Sequence, residues 1–412
     1  MQLNDNFRLT YCTNIHPGQD WKTTFDSLKK HVPKIKSRVA ADKSFGLGLR
    51  LSNTASEQLG MGEQLTEFQE WLNKNGVYVF TINGFPYGNF HDERVKDQVH
   101  APDWTTSERV VYTKRLFDQL AVLLPDAMVG GISTSPISYK HWHTSEKATQ
   151  RAFEDGARNL IEIILHLHEL ESKTGKYLHL DIEPEPDGML ENSDEVLCFF
   201  SDYLLPTAKP ILRKNLGIND DEASEIIQRY ITICYDICHF SLAYEEPKYT
   251  FDKFAQAGIK IGKIQVSAAL KIRPVMAKEN EAAEYVAKNN RVENEIIWEA
   301  LSHFDEPTYL HQVTEKRDGA VKTYPDLPVV LKEKNPFEEL RAHFHVPIFL
   351  DQFGVLHSTQ DHILKVIGEL KQKPVSKHLE IETYTWDVLP AALKRDLSES
   401  IIREIEWFTE QF

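Results

Sequence analysis

Short apolar runs of strand type recur along the chain at 9–15, 45–52, 77–85, 128–136, 177–186, 230–240, 262–270 and 378–386. Between most of them lie stretches in which apolar residues return every three or four positions, the period of a helix with one buried face. In the stretch that opens at Trp104, Thr105 and Glu108 have the spacing of a capping box, and Val111, Phe117 and Leu120 fall on one helical stripe. A second helix is predicted from Lys147 to Glu171, ended by Gly175, and a third over 361–373, before the last strand. Eight strands alternating with helices predict a parallel sheet, and eight is the number that closes a (β/α)8 barrel, the TIM-barrel class of α/β fold.

No repeat, low-complexity tract or linker divides the sequence, so residues 1–412 are expected to form a single barrel domain. The stretch 271–341 is too long for a simple crossover. Its charged segments, KENEAAEYVAKNN and YPDLPVVLKEKNP, predict a partly helical insertion after strand seven, at the catalytic face.

Side chains alternate along a strand, so the apolar set fixes which residues face the barrel axis. Leu178, Leu180 and Ile182 face the helices, which turns His179, Asp181 and Glu183 inward. The same reading turns Thr232, Cys234 and Asp236 inward, then Gln265 and Ser267, then Glu380, Glu382 and Tyr384, and also Arg50 and Ser52. Glu183, Asp236, Gln265 and Glu382 thus fall near strand C-termini, the end at which barrel enzymes place their chemistry. Carboxylates crowded there repel one another and lose hydration, and a divalent cation offsets both costs. Oxygen and nitrogen donors of this kind suit manganese, zinc or magnesium, with Glu183, Asp236, Gln265 and Glu382 as the ligand candidates.

The 412 residues carry a formal net charge of -15 with 41% hydrophobic and 26% charged residues. That balance supports a real core and opposes binding to nucleic acid or an anionic membrane surface. No stretch approaches the about 18 apolar residues of a membrane span, and the N-terminus lacks the pattern of a signal peptide. The four cysteines, Cys12, Cys198, Cys234 and Cys238, form no Cys-x-x-Cys pair. They are read as reduced thiols of a cytoplasmic protein, and Cys238 as a small core residue rather than a nucleophile.

These residues resemble the xylose isomerase-like barrel superfamily, which includes sugar isomerases, keto-sugar 3-epimerases and the AP endonuclease family 2 proteins. Glu183 in LDIEPEP, Asp236-Ile-Cys-His239, and Glu382 in EIETYTW match the superfamily's metal-site positions, and HFHVPIF places His345 in its expected place with His343 two residues earlier. Gln265, in KIQVSAAL, stands where the resemblance expects histidine. A closer resemblance, carried by LTYCTNIHPG, GLGLRLS, EPEPDG, CYDICH, QVSAAL, RAHFHVPIF and ETYTWDVLP, is to the EboE proteins, a barrel family encoded in bacterial metabolite-handling gene clusters.

The resemblance implies a metal-dependent sugar or sugar-phosphate isomerase or epimerase acting on a small hydroxy-carbonyl metabolite. In that reading Glu183 and Glu382 bind metal and also serve as general acid and base. His239, His343, Asn83, Arg50, Arg273 and Trp386 are the candidates for substrate contact, the arginines for a phosphate or carboxylate. His16 and His91 are candidate pocket-wall residues, and Phe85, Tyr87, Trp142 and Tyr244 are aromatic surfaces for a ring. Two other readings stand beside it: a metabolite-handling carrier with a degenerate site, which Gln265 favours, and a metal-assisted hydrolase.

Overall fold

The computed structural model describes residues 1–4, 7–88, 95–274, 294–386, 389 and 394–412. His91 and the segment KENEAAEYVAKNN lie outside the described residues.

Strands β1 (Arg8–Tyr11), β2 (Phe45–Arg50), β3 (Val77–Asn83), β4 (Gly130–Thr134), β5 (Leu178–Ile182), β6 (Ile231–Asp236) and β7 (Ile261–Val266) pair in parallel. The eighth member is the last strand of the chain, β14 (His378–Ile381), which lies between β1 and β7. Each of the eight predicted strands is present, and the order is that of a (β/α)8 barrel. Backbone pairing between β1 and β2 is limited to a parallel bridge from Cys12 to Gly48. Side-chain hydroxyls complete the closure: Thr10 Oγ1 donates to the Gly46 carbonyl at 2.8 Å and accepts from Gly48 N at 3.0 Å. Thr13 Oγ1 accepts from Arg50 N at 2.9 Å. Gly48 is required there, since a Cβ would sit 1.7 Å from the Glu380 carboxylate inside the barrel.

The helices follow their sequence signals with local exceptions. The long helix Glu146–Thr174 is capped by the Ser145 side chain and stops at Gly175, whose φ of 71° is the left-handed turn that glycine takes without strain. The helix Ser107–Leu123 starts later than its capping-box spacing predicts, because Thr105 Oγ1 bonds Asp103 instead of capping the helix. Phe117 and Leu120 are fully buried in it, but Val111 is 57% exposed and off the buried stripe.

The largest departure is the stretch after β7. It builds a second, antiparallel sheet of six strands in the order β10-β9-β11-β8-β13-β12. Its strands are β8 (Ala269–Ile272), β9 (Val313–Arg317), β10 (Ala320–Tyr324), β11 (Leu340–His345), β12 (Gln352–Phe353) and β13 (Leu356–Ser358). The sheet therefore runs beyond 271–341 at both ends, while within that stretch residues 294–302 and Leu327–Glu333 are helical as expected. The missed signal was Asp318-Gly319. Both residues have positive φ and join β9 to β10, the two-residue hairpin chemistry in which such a pair matches the strand twist. RAHFH belongs to strand β11, which is buried along its whole length.

Candidate metal centre

Four strand ends bring acids and histidines to one place. Glu183 follows β5, Asp236 ends β6, Glu382 follows β14 and His345 ends β11. Ligand atoms of Glu183, Asp236 and Glu382 lie within 4.8 Å of one another, and so do those of Asp236, His239 and His345. Asp236 is common to both groups. Its Oδ1 accepts from Ser267 Oγ at 2.6 Å and from His239 N at 3.2 Å, where it also caps the helix Ile237–Leu242. That leaves Oδ2 buried without a hydrogen bond.

The histidines are oriented by carbonyls that can only accept. His239 Nδ1 donates to the Pro184 carbonyl at 2.9 Å, and His345 Nδ1 to the Glu382 carbonyl at 2.7 Å. His343 Nδ1 lies 2.9 Å from Gln312 Oε1, and the Gln312 amide is set by its own Nε2 donating to the Pro186 carbonyl at 3.2 Å. Each imidazole thus directs the lone pair of Nε2 inward, the arrangement that a backbone or amide partner imposes on a metal-bound histidine. His239 Nε2 and His343 Nε2 face each other at 3.1 Å.

Glu382 Oε1 accepts from Asn14 Nδ2 at 2.6 Å and from Asn83 Nδ2 at 2.9 Å. Burial and mutual repulsion outweigh the attraction of the buried Lys263 ammonium, so the acids resist ionisation. Burial, then the charges of Glu382 and Asp236, push Glu183 well above the ordinary carboxylate range. Burial, Asp236 and Glu380 push Glu382 up to about 8. Burial depresses His345 to about 4, against the attraction of Asp236.

A divalent cation fits this donor set. Glu183 Oε2, Asp236 Oδ2 and His345 Nε2 are all buried without a hydrogen-bond partner among the described residues. Native interiors rarely leave such atoms unsatisfied, and one cation satisfies several of them while cancelling the carboxylate repulsion. Gln265 is fully buried beside Asp236 in the β6–β7 register, and both its amide atoms also lack partners.

The cleft above holds about 620 Å³ between its atoms, open solvent included, and Glu183, Glu382, Asn83, His239, His343 and His345 line it. The loop before β9 contributes Tyr309, Leu310 and Gln312 to the same cleft. Three of the predicted substrate-contact residues lie elsewhere. The Arg50 guanidinium is spent on the Gly18 and Gly88 carbonyls. Arg273 is 52% exposed and ion-paired to Glu339. Trp386 is buried against Phe349 behind the β14 loop. Cys238 sits in a small apolar cluster with Leu242 and Ala269, and burial with the charge of Asp236 pushes its thiol up.

Sequence reasoning passed over Asn14, Gln312 and Lys263. Lys263 lies fully buried beneath the acids, its Nζ 2.6 Å from Glu380 Oε2 and 2.9 Å from Ser133 Oγ. Extending the inward set of β7 two residues back from Gln265 reaches it.

No protein-family model matches the chain, and no curated protein matches it. Solved structures similar to it include a xylose isomerase-like TIM barrel protein from Mycobacterium smegmatis in complex with magnesium, at 8% identity over 100% of this chain and 98% of that one, with a TM-score of 0.49. The IolI protein with a bound zinc atom is 10% identical over 98% and 96% of the two chains, TM-score 0.44. A D-tagatose 3-epimerase-like protein is 13% identical over 72% and 97%, TM-score 0.40. The barrel assignment rests on the strand order above. No helix among the described residues is long and apolar enough to cross a membrane.

Proposed function

We propose that the protein is a metal-dependent enzyme of isomerase or epimerase type, acting on a small hydroxy-carbonyl metabolite. The observation that carries this reading is a pair of donor groups that share Asp236: ligand atoms of Glu183, Asp236 and Glu382 lie within 4.8 Å of one another, as do those of Asp236, His239 and His345, and Glu183 Oε2, Asp236 Oδ2 and His345 Nε2 are buried without a hydrogen bond. Glu183, Asp236, Glu382 and His345 are the proposed ligands, with Gln265 beside them. A bound manganese, zinc or magnesium ion supplies Lewis acidity toward adjacent substrate oxygens, which acidifies the C–H next to a carbonyl.

The chain's own residues do the rest. Asn14 and Asn83 hold one oxygen of Glu382 in place, leaving its other oxygen to take or return a proton. Glu183, across the cleft, is the partner for the opposite transfer. His239 and His343 orient the substrate, and the tyrosines at the rim limit water. The resemblance of its motifs to those of the EboE proteins is in keeping with a metabolite-handling role. A carrier reading is favoured by one feature, an amide at Gln265 in place of an imidazole.

Incubating the manganese-loaded protein with hydroxy-carbonyl compounds in deuterated water separates the two. Deuterium at the carbon beside the carbonyl is the expected result. Tight binding of such a compound with no exchange would favour the carrier.

A further inference from the structure

We infer that the ligand of this site is uncharged and carries an apolar or aromatic flank, not a phosphate; the inference rests on the hydroxy-carbonyl reading above. The cleft has two unlike halves. Its floor is acidic, with Glu183, Glu185 and Glu382 all lining it. Its rim is apolar, formed by Phe85, Val95, Val99, Tyr309, Leu310 and Tyr384.

The rim is a built feature. Val95, Tyr309 and Tyr384 form an apolar cluster separate from the main core, with Val99 packed against it. The two tyrosine rings meet edge to face at 5.1 Å and 72°. Backbone bonds fix the pieces, since Val95 N donates to the Thr308 carbonyl at 2.9 Å and Tyr309 N to Glu306 Oε1 at 2.9 Å. Three separate segments, after β3, before β9 and after β14, are thereby drawn into one collar over the acids.

The cation that lines the cleft is already paired. Among the described residues Lys96 is the one lysine or arginine lining it, and its Nζ lies 2.6 Å from the Asp326 carboxylate. Arg109, close behind the rim, is fully buried and bonds the carbonyls of Pro102, Gly84 and Phe85. A phosphate entering this cleft would lose hydration beside three carboxyl groups, with the one lysine of the lining already ion-paired. An apolar flank would exchange water for ring and aliphatic contacts, while the vicinal oxygens reach the floor.

The test uses three hydroxy-ketones with the same chelating end: 2-hydroxyacetophenone, dihydroxyacetone and dihydroxyacetone phosphate. Their dissociation constants are measured by calorimetry on the full chain, with and without bound Mn²⁺, and on Val99→Lys, a half-buried rim position. The expected order is the phenyl ketone tightest by roughly tenfold to a hundredfold and the phosphate weakest, with Val99→Lys narrowing or reversing the gap. If the phosphate binds as tightly as the phenyl ketone, or Val99→Lys leaves the order unchanged, the inference is overturned while the metal reading stands. If none of the three shows Mn²⁺-dependent binding, the proposed function fails and this inference falls with it.

Discussion

His239 and His343 point Nε2 at Nε2 across 3.1 Å, and each has its Nδ1 proton committed to a carbonyl oxygen. In their neutral forms the two rings therefore present lone pair to lone pair, which is repulsive. A proton shared between them, or a cation drawn to both, removes that repulsion. Burial and the neighbouring histidines push His343 well below its ordinary range, which works against the proton. Glu185, which together with the two imidazoles offers donor atoms within 4.8 Å of one another, favours the cation.

Gln312 is the residue that holds His343 in this tautomer. Replacing it with methionine keeps the volume and removes the acceptor. KM for the substrate is expected to rise roughly tenfold, the scale of one lost hydrogen bond, with metal content unchanged. Steady-state kinetics and elemental analysis measure the two. An unchanged KM would remove His343 from the substrate's surroundings.

Glu382→Gln should keep the fold and lose turnover. The amide oxygen still accepts from Asn14 and Asn83, so packing survives. The variant can neither balance a cation nor accept a proton, and the rate should fall by roughly a hundredfold or more. Comparing kcat with the melting temperature separates the two effects. A variant that melts like the parent and turns over normally would eliminate Glu382 as a proton-transfer group.

Much of this site is legible in the sequence alone. The alternation of Leu178, Leu180 and Ile182 was enough to turn His179 and Asp181 inward, where they bond each other at 2.6 Å. The apolar set of each strand reports the outer face of the barrel directly, because the helices bury it. Arg50, Arg273 and Trp386 were misplaced because strand register fixes a Cα but not the reach of a long side chain. Arg50 starts from an inward position and its guanidinium is taken by loop carbonyls. The second sheet escaped because its strands are short and its partners distant in sequence, so periodicity had little length on which to act. Asp318-Gly319 was the one local signal strong enough to find it.

Lys263 and Glu380 form an ion pair with no solvent exposure on either side chain. Burial opposes the lysine's charge, yet the acids around it, Glu380 foremost, hold its pKa above the ordinary value. Lys263→Met alone should destabilise the protein by about 3–5 kcal/mol, since it strands a buried carboxylate. Adding Glu380→Gln should recover a large part of that loss. Urea midpoints of the single and double variants provide the check, and a double variant no better than Lys263→Met would mean the pair is not coupled.

Glu404 gives a pH signature away from the ligands. It accepts from Thr383 Oγ1 at 2.7 Å and from Ile348 N at 3.2 Å, and burial raises its pKa from 4.5 to about 7. Because the folded state holds this proton more tightly than the unfolded state, Glu404's contribution to stability is fully present below pH 4.5 and is lost as pH rises through about 7. The loss is on the order of 3 kcal/mol. Glu404→Gln should lack this component, so the stability difference between variant and parent should grow between pH 5 and 7.5. A constant difference would show that Glu404 ionises normally.

The central claim, that Glu183, Asp236 and Glu382 hold a divalent cation, is tested most directly by metal content. The purified chain is dialysed to equilibrium against manganese or zinc and analysed for bound metal, beside a variant in which all three acids are replaced by their amides. The parent is expected to retain about one ion per chain and the triple variant none. A parent that retains no metal, or a triple variant that retains as much as the parent, would contradict the claim.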